Sequence, residues 1–136
     1  MTAQRRAAEA RGRRGELLAA WWLRLKGYRI LVRGYRAPVG EIDLVARRGA
    51  VLAMVEVKRR ARAADALEAI GPRQQHRIAR AAEHFLQRHR ALAGLDLRFD
   101  SLLIVPGRLP RHLPDAWRPD APVAAMAAPG QARRVR

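Results

Sequence analysis

Residues 40–58 read Gly-Glu-Ile-Asp-Leu-Val-Ala-Arg-Arg-Gly-Ala-Val-Leu-Ala-Met-Val-Glu-Val-Lys, and this stretch decides the fold. The segments 41–46 and 51–58 are short and rich in apolar and β-branched residues, and the turn-like Arg47-Arg48-Gly49-Ala50 separates them. Gly49 suits this turn because glycine adopts a positive φ without steric cost. The pattern predicts an antiparallel β-hairpin with acidic residues near its open end.

Helices and strands are predicted on both sides of this hairpin. The predicted elements are a helix over 7–26, strands over 28–35, 41–46, 51–58 and 97–105, a loop with a short helix over 61–70, and a second helix from Pro72 to about His89. Gly27 ends the first helix, and Pro72 suits the first turn of the second. The order α-β-β-β-α-β predicts an α/β fold with a mixed central sheet flanked by helices.

Length and composition fit one small domain. The chain has 136 residues, of which 49% are apolar. We predict a single domain over residues 1–117 and, because residues 118–136 are rich in Pro, Ala and Arg without periodicity, a disordered basic tail. The absence of cysteine excludes disulfides, thiolate metal sites and cysteine nucleophiles. No apolar run approaches the roughly 20 residues that cross a bilayer, so we expect a cytoplasmic protein with no membrane partner.

Positive charge dominates the composition. The chain carries 28 Lys and Arg against 12 Asp and Glu, a net charge of +16, which favours a polyanionic partner such as nucleic acid. The alternative is an arginine-rich bias with ordinary solvated faces. All basic residues except Lys26 and Lys58 are arginine. The candidate phosphate-binding residues lie around the hairpin and at the start of the second helix: Arg47, Arg48, Arg59, Arg60 and Arg73.

The predicted hairpin would bring three acids, Glu41, Asp43 and Glu56, together at its open end. A turn that pairs Arg47 with Ala50 would place Asp43 opposite Met54 and diagonal to Glu56, at about 7–8 Å. Two carboxylates at that separation can hold one cation, although a turn of odd length would reverse the parity. Without a cation, burying such acids costs several kcal/mol per unpaired ion. A hard divalent cation, Mg²⁺ or Mn²⁺, fits carboxylate ligands.

This arrangement suits phosphodiester hydrolysis. A divalent metal held by Asp43 and Glu56 can activate water, neutralise phosphate and assist the leaving oxygen. Lys58 would orient the attacking water or stabilise the developing charge, and the backbone carbonyl of Val57 would be a further ligand. The four histidines show no zinc-site spacing, so we expect His76, His84, His89 and His112 on the surface. Of the two adjacent tryptophans, Trp21 and Trp22, we expect one in the core and one at its flank.

The sequence also resembles a known family. Gly15-Glu16, residues 40–44 and residues 55–58 resemble the UPF0102 (YraN) family. That family is similar to the archaeal Holliday-junction resolvases, so the resemblance implies a restriction-endonuclease-like, PD-(D/E)xK fold. It also implies metal binding by Asp43 and Glu56, with Lys58 as the motif lysine.

The resemblance implies roles for Glu16 and Gln75, and Glu41 and Asp100 are interpreted from their own positions. Glu16 matches an acid of the first helix, as a metal ligand or an ordinary solvated charge. Gln75 matches a glutamine expected to contact substrate or water, with a structural amide as the alternative; relatives often have Lys where this chain has Gln74. Glu41 either supports the metal site or is a strand-edge charge. Asp100 is expected to pair structurally with an arginine.

The leading hypothesis is a metal-dependent nuclease that cleaves DNA, with junctions or flaps as structure-specific substrates. The alternative is a non-catalytic nucleic-acid-binding protein on the same fold, because the charge alone supports binding. A third reading is a ribosome- or RNA-associated basic protein with a vestigial site. DNA is favoured over RNA as the partner, and a homodimer with twofold symmetry would suit cleavage of both strands.

Overall fold

The structure, a computed structural model, describes residues 2–62, 70–120 and 123, without the side chains of 7–12. Its elements are α1 (Ala3–Leu25), β1 (Arg29–Ala37), β2 (Gly40–Arg48), β3 (Val51–Arg59), α2 (Pro72–Arg88), a 3-10 turn (Arg90–Leu92), β4 (Asp96–Ile104) and β5 (Arg111–Trp117). The helix α1 begins four residues before the predicted start, because the Thr2 side chain accepts a hydrogen bond from the Arg5 backbone N–H at 3.1 Å and caps it.

The strands form one five-stranded sheet in the order β1-β2-β3-β4-β5. The pairs β1–β2, β2–β3 and β4–β5 are antiparallel, whereas β3 and β4 are parallel and are connected through α2. The predicted mixed sheet is confirmed. The strand β5 was not predicted, because it contains Pro114 and mostly exposed residues and so lacks the alternating pattern of a strand. Asp115 within it has a positive φ of 52°.

Each face of the sheet packs against one helix. The cluster on one face joins Ala19, Ala20 and Leu23 of α1 to apolar side chains of the strands, among them Leu44 and Val55. The cluster on the other face joins α2 to a second set of strand residues: Ile42, Val45, Leu52, Met54 and Phe99 pack with Ile78, Ala82, Phe85 and Leu86. The described residues therefore form three layers, with the sheet between α1 and α2.

Gly40 allows α2 to approach the sheet closely. A Cβ atom at Gly40 would lie 2.3 Å from the backbone oxygen of Arg77, so no side chain fits there. The first residue of β2 therefore fixes how near α2 lies to the strand that carries Glu41 and Asp43.

Several predictions concern residues near the limits of the described chain. The predicted short helix within 61–70 falls mainly on 63–69, and most of the predicted tail over 118–136 falls on 121–122 and 124–136; these residues lie outside the described part of the chain. Val123 is buried in the α2-side cluster, so the core extends beyond residue 117. Within the described part of the chain, no helix combines the length and apolarity needed to span a bilayer.

Candidate active site

The hairpin places Asp43 level with Glu56. Arg48 pairs with Val51, and the register continues to Leu44 with Val55. The predicted pairing of Arg47 with Ala50 is wrong by two residues, because the tight turn is centred on Gly49 and Ala50, where Gly49 has a φ of 60°. Since the shift is even, the predicted parity holds up to Leu44, where the paired register of β2 with β3 ends. Beyond it, the Asp43 and Glu56 side chains form a hydrogen bond with each other.

At Asp43 the hydrogen bonding between β2 and β3 no longer runs from backbone to backbone. The Val57 backbone N–H donates to Asp43 Oδ2 at 2.8 Å, so a side chain replaces a backbone partner. Ile42 and Leu44 are two residues apart, yet they pack in clusters on opposite faces of the sheet. The regular alternation of a strand is therefore interrupted at Asp43, and its carboxyl group lies in the fork between β2 and β3.

Asp43 and Glu56 form a half-buried acid pair in which burial and mutual repulsion outweigh the positive charge of nearby Lys58. Burial, the charge of Asp43 and a hydrogen bond between the two side chains raise the pKa of Glu56 to about 8, and nearby Lys58 only partly opposes this. Burial also raises the pKa of Asp43, despite the hydrogen bonds from Val57 and Glu56. Both shifts favour the protonated form of the pair, and a bound cation would favour the ionised form instead.

Two further acids lie beside this pair. Burial and the charges of Asp43 and Glu41 raise the pKa of Glu16 on α1, although Arg33 and Arg36 act in the opposite direction. Glu41 is exposed and forms an ion pair with Arg36 at 3.9 Å. Acids from α1, β2 and β3 thus lie close together at one end of the sheet.

A groove of about 540 Å³ leads to these acids between α1 and β1. Its lining consists of Arg13, Glu16, Arg33, Gly34, Arg36, Glu41, Ile42 and Asp43. Gly34 has a φ of 67°, and a Cβ there would lie 3.8 Å from Glu16 Oε1, in ordinary contact. The sequence prediction missed the three groove arginines, because no local pattern connects Arg13 of α1 with Arg33 and Arg36 of β1.

The donor set suits a hard cation. Among the residues that the structure describes, no three His, Cys, Asp or Glu side chains already have the spacing of a complete metal site. Asp43 and Glu56 nevertheless offer two touching carboxyl groups with a surplus of negative charge. Mg²⁺ is commonly held by one or two carboxylates with water in its remaining positions, so these residues fit such an ion.

Gln74, rather than Gln75, reaches the acid pair. Gln74 Nε2 lies 3.5 Å from Glu56 Oε1, at the outer limit of a hydrogen bond. Gln75 Nε2 donates to the Ile70 carbonyl at 2.8 Å and stabilises the entry to α2, the structural alternative for this amide. The two amides are adjacent in sequence, so the orientation of α2 about its own axis determines which of them faces the acid pair.

The predicted phosphate-binding arginines separate into two groups. Arg47 and Arg48 lie at the turn of the hairpin, with Arg48 about 16 Å along β2 from Asp43. The Arg48 guanidinium also stacks 4.5 Å above the Tyr28 ring. Arg59 ends β3 near the acids, next to Arg60, and Arg73 is exposed in the first turn of α2, beside Gln74.

A second buried acid lies on β4. Asp100 accepts two hydrogen bonds from Arg98, one from His112 Nε2 and one from the Asp115 backbone N–H, at 2.8 to 2.9 Å. Burial raises its pKa, but these bonds outweigh burial and lower the pKa to about 2. The predicted arginine partner is confirmed. The prediction of His112 as a surface residue is wrong, since its side chain is 1% exposed.

Comparison with known families places the chain. The family model described as "Uncharacterised protein family UPF0102" matches residues 15–104. The chain belongs to the UPF0102 family. A UPF0102 protein of Parvibaculum lavamentivorans is 59% identical over 113 residues, 83% of this chain and 85% of that protein. Those of Paramagnetospirillum magneticum and Caulobacter vibrioides are 54% and 53% identical, over 84% and 82% of this chain and 92% and 89% of theirs. The family match contains Glu16, Asp43, Glu56 and Lys58.

Proposed function

We propose that this UPF0102 chain is a metal-dependent nuclease that hydrolyses phosphodiester bonds in DNA, using Mg²⁺ or Mn²⁺, with junctions or flaps as its structure-specific substrates. The half-buried, touching acid pair of Asp43 and Glu56, whose pKa values are both raised although the chain has a net charge of +16, carries this proposal. A protein that only binds nucleic acid gains nothing from buried carboxylates that repel phosphate, whereas a metal-dependent hydrolase needs them.

The architecture supports the proposal. The mixed sheet with one helix on each face, and acids in the fork of its hairpin, is compatible with the restriction-endonuclease-like fold that we propose for the family. That fold would present the acids at an open sheet end, where the groove between α1 and β1 gives a phosphodiester access.

Each side chain then has a defined task. Asp43 and Glu56 would hold the metal, with the Val57 carbonyl and Glu16 as further ligands; the metal would supply an activated water and charge neutralisation. Lys58 would donate to the attacking water and stabilise the charge that develops on the phosphate.

Neighbouring groups position this machinery. Gln74 would hold Glu56 in place through its amide. Glu41 would orient Arg36 at the rim of the site through their ion pair, and Arg13, Arg33 and Arg36 would bind the flanking phosphates.

A cleavage panel tests the proposal. Labelled duplex, flap, junction and single-stranded DNA are incubated with wild-type protein, with Mg²⁺, Mn²⁺ or chelator. We expect metal-dependent cleavage that Asp43→Asn abolishes and that Asp96→Asn, an exposed acid at the start of β4, leaves unchanged. Cleavage that survives in chelator, or in Asp43→Asn, would defeat the assignment.

A non-catalytic nucleic-acid-binding protein remains the second candidate, favoured by the net charge of +16. Calorimetric titration of Mn²⁺ into wild type and Asp43→Ala separates the two. Binding that the variant loses supports the nuclease, whereas DNA binding without any metal binding supports the second candidate.

A further inference from the structure

The outward side of α1 carries an apolar stripe. Leu17, Leu18, Trp21 and Leu25 are 49%, 42%, 59% and 62% exposed. Positions 17, 21 and 25 follow one another at one helical turn, so they share a face. Ala19, Ala20 and Leu23 are buried against the sheet, which leaves this stripe, the outer face of α1, uncovered among the residues that the structure describes.

The charges around the outer face favour a polyanion. Arg13 and Arg14 precede the stripe, Arg24 lies within it, and all three are exposed. The acid of this helical segment, Glu16, lies on the side of the active-site groove instead. A second copy of the chain would bring the same arginines against these, at a net charge of +16 per copy, whereas phosphates neutralise them.

The outer face is continuous with the groove. Arg13 lines the groove and precedes Leu17 by one helical turn and Trp21 by two, about 12 Å along the helix axis. Arg33 and Arg36 lie on the opposite wall. Arg13 therefore lies where the groove meets the outer face of α1, within reach of a strand that occupies both.

We propose that the outer face of α1 binds an unpaired segment of the nucleic acid strand, with a base stacked on Trp21 and its phosphates held by Arg13, Arg14 and Arg24. Stacking on an exposed indole requires a base whose face is free, which an unpaired strand offers and a regular duplex does not. The inference rests on the proposed function and makes it more specific: the substrate carries unpaired nucleotides next to the cleaved bond.

Binding by the full-length Asp43→Asn chain tests this without cleavage. The probes are a labelled oligothymidylate and a blunt hairpin duplex of equal charge, at the same salt concentration. Adding Trp21→Ala should weaken oligothymidylate binding by about tenfold or more, which corresponds to the loss of one stacked base, and duplex binding by less than twofold. Trp21→Phe should restore most of the affinity and lose the tryptophan quenching that accompanies binding. Leu109→Ala, at an exposed apolar residue outside α1, should change neither affinity.

The outcomes separate this inference from the proposed function. If the Asp43→Asn chain binds neither probe, both are wrong. If it binds both probes and Trp21→Ala weakens neither, or both equally, only the inference is overturned. It is also overturned if Trp21→Ala converts a dimer into a monomer with unchanged preference between the probes, because a second copy then covers the face. If Trp21→Ala does not fold, affinity and quenching of Trp21→Phe decide.

Discussion

Asp100 and Asp43 are both shielded carboxyl groups on neighbouring parts of one sheet, yet their surroundings are opposite. Asp100 is fully buried and accepts four hydrogen bonds, two of them from a guanidinium, which hold its pKa near 2. Asp43 has one backbone N–H donor and a second acid, Glu56, as its side-chain partner, and burial raises both pKa values. The difference teaches that a buried acid is structural where its charge is matched, and a candidate for cation binding where it is not.

The largest expected effect is on catalysis at the site of Asp43 and Glu56. Lys58→Arg keeps the charge but replaces a compact ammonium with a planar fork, which displaces the attacking water. We expect cleavage to fall by about a thousandfold, or about 4 kcal/mol, with DNA binding changed little. Single-turnover rates and binding isotherms measure the two effects. A variant that cleaves at the wild-type rate would show that Lys58 has no part in the chemistry.

Substitution of Asp100 and of Asp43 should change the free energy of unfolding in opposite directions. Asp100→Asn leaves Arg98 without its anion, so we expect a loss of about 3 kcal/mol in the free energy of unfolding, the lower end of the range because Arg98 is partly solvated. Asp43→Asn keeps an acceptor for Val57 N–H and removes a repelling charge, so in chelator we expect a gain of about 1 kcal/mol. Urea unfolding measures both, with Asp96→Asn as the neutral control. Equal losses for Asp43 and Asp100 would abolish the distinction.

A divalent metal should stabilise the folded chain only by binding to Asp43 and Glu56. At a Mg²⁺ or Mn²⁺ concentration of 100 times Kd, wild type should gain about 2.7 kcal/mol, and Asp100→Asn should gain the same from its lower baseline. Asp43→Asn should gain nothing, because it lacks a ligand. Thermal melts with metal and with chelator measure this. A full shift in Asp43→Asn would place the cation elsewhere.

Acid should remove the contribution of Asp100. Its pKa is about 2 in the folded chain against 3.8 for an unperturbed Asp, so its ionised form adds about 2 kcal/mol of stability above pH 4. That contribution is lost as the pH falls from about 4 to 2, because the unfolded chain takes up the proton first. Unfolding of wild type and Asp100→Asn at pH 7, 4, 3 and 2 tests this: the difference between them should shrink toward pH 2. A constant difference would contradict the matched-charge account.

Local pattern predicted much of the site. Alternating strands around a glycine turn indicated the hairpin. The acids at its open end include Asp43 and Glu56, which contact each other although the predicted register was wrong by two residues. Three-dimensional packing decided which neighbours join them. Gln74 and Gln75 are indistinguishable as a dipeptide, and the rotation of α2 selects Gln74.

The groove and the Asp100 network depended on elements that no local pattern connects. Arg13 and Arg33 lie twenty residues apart and meet across the groove because α1 packs over the edge of the sheet. His112 looked like a surface residue because its strand, β5, was not recognised; the pairing of β5 with β4 buries it against Asp100.

The sequence by itself determined the family, the hairpin and the acids at its open end, since these depend on residue type and short spacing. Only the tertiary structure decided which charges are matched. Burial and partner number are set by how α1, α2 and β5 pack against the sheet. These long-range contacts make Asp100 a satisfied anion, whereas they raise the pKa values of Asp43 and Glu56.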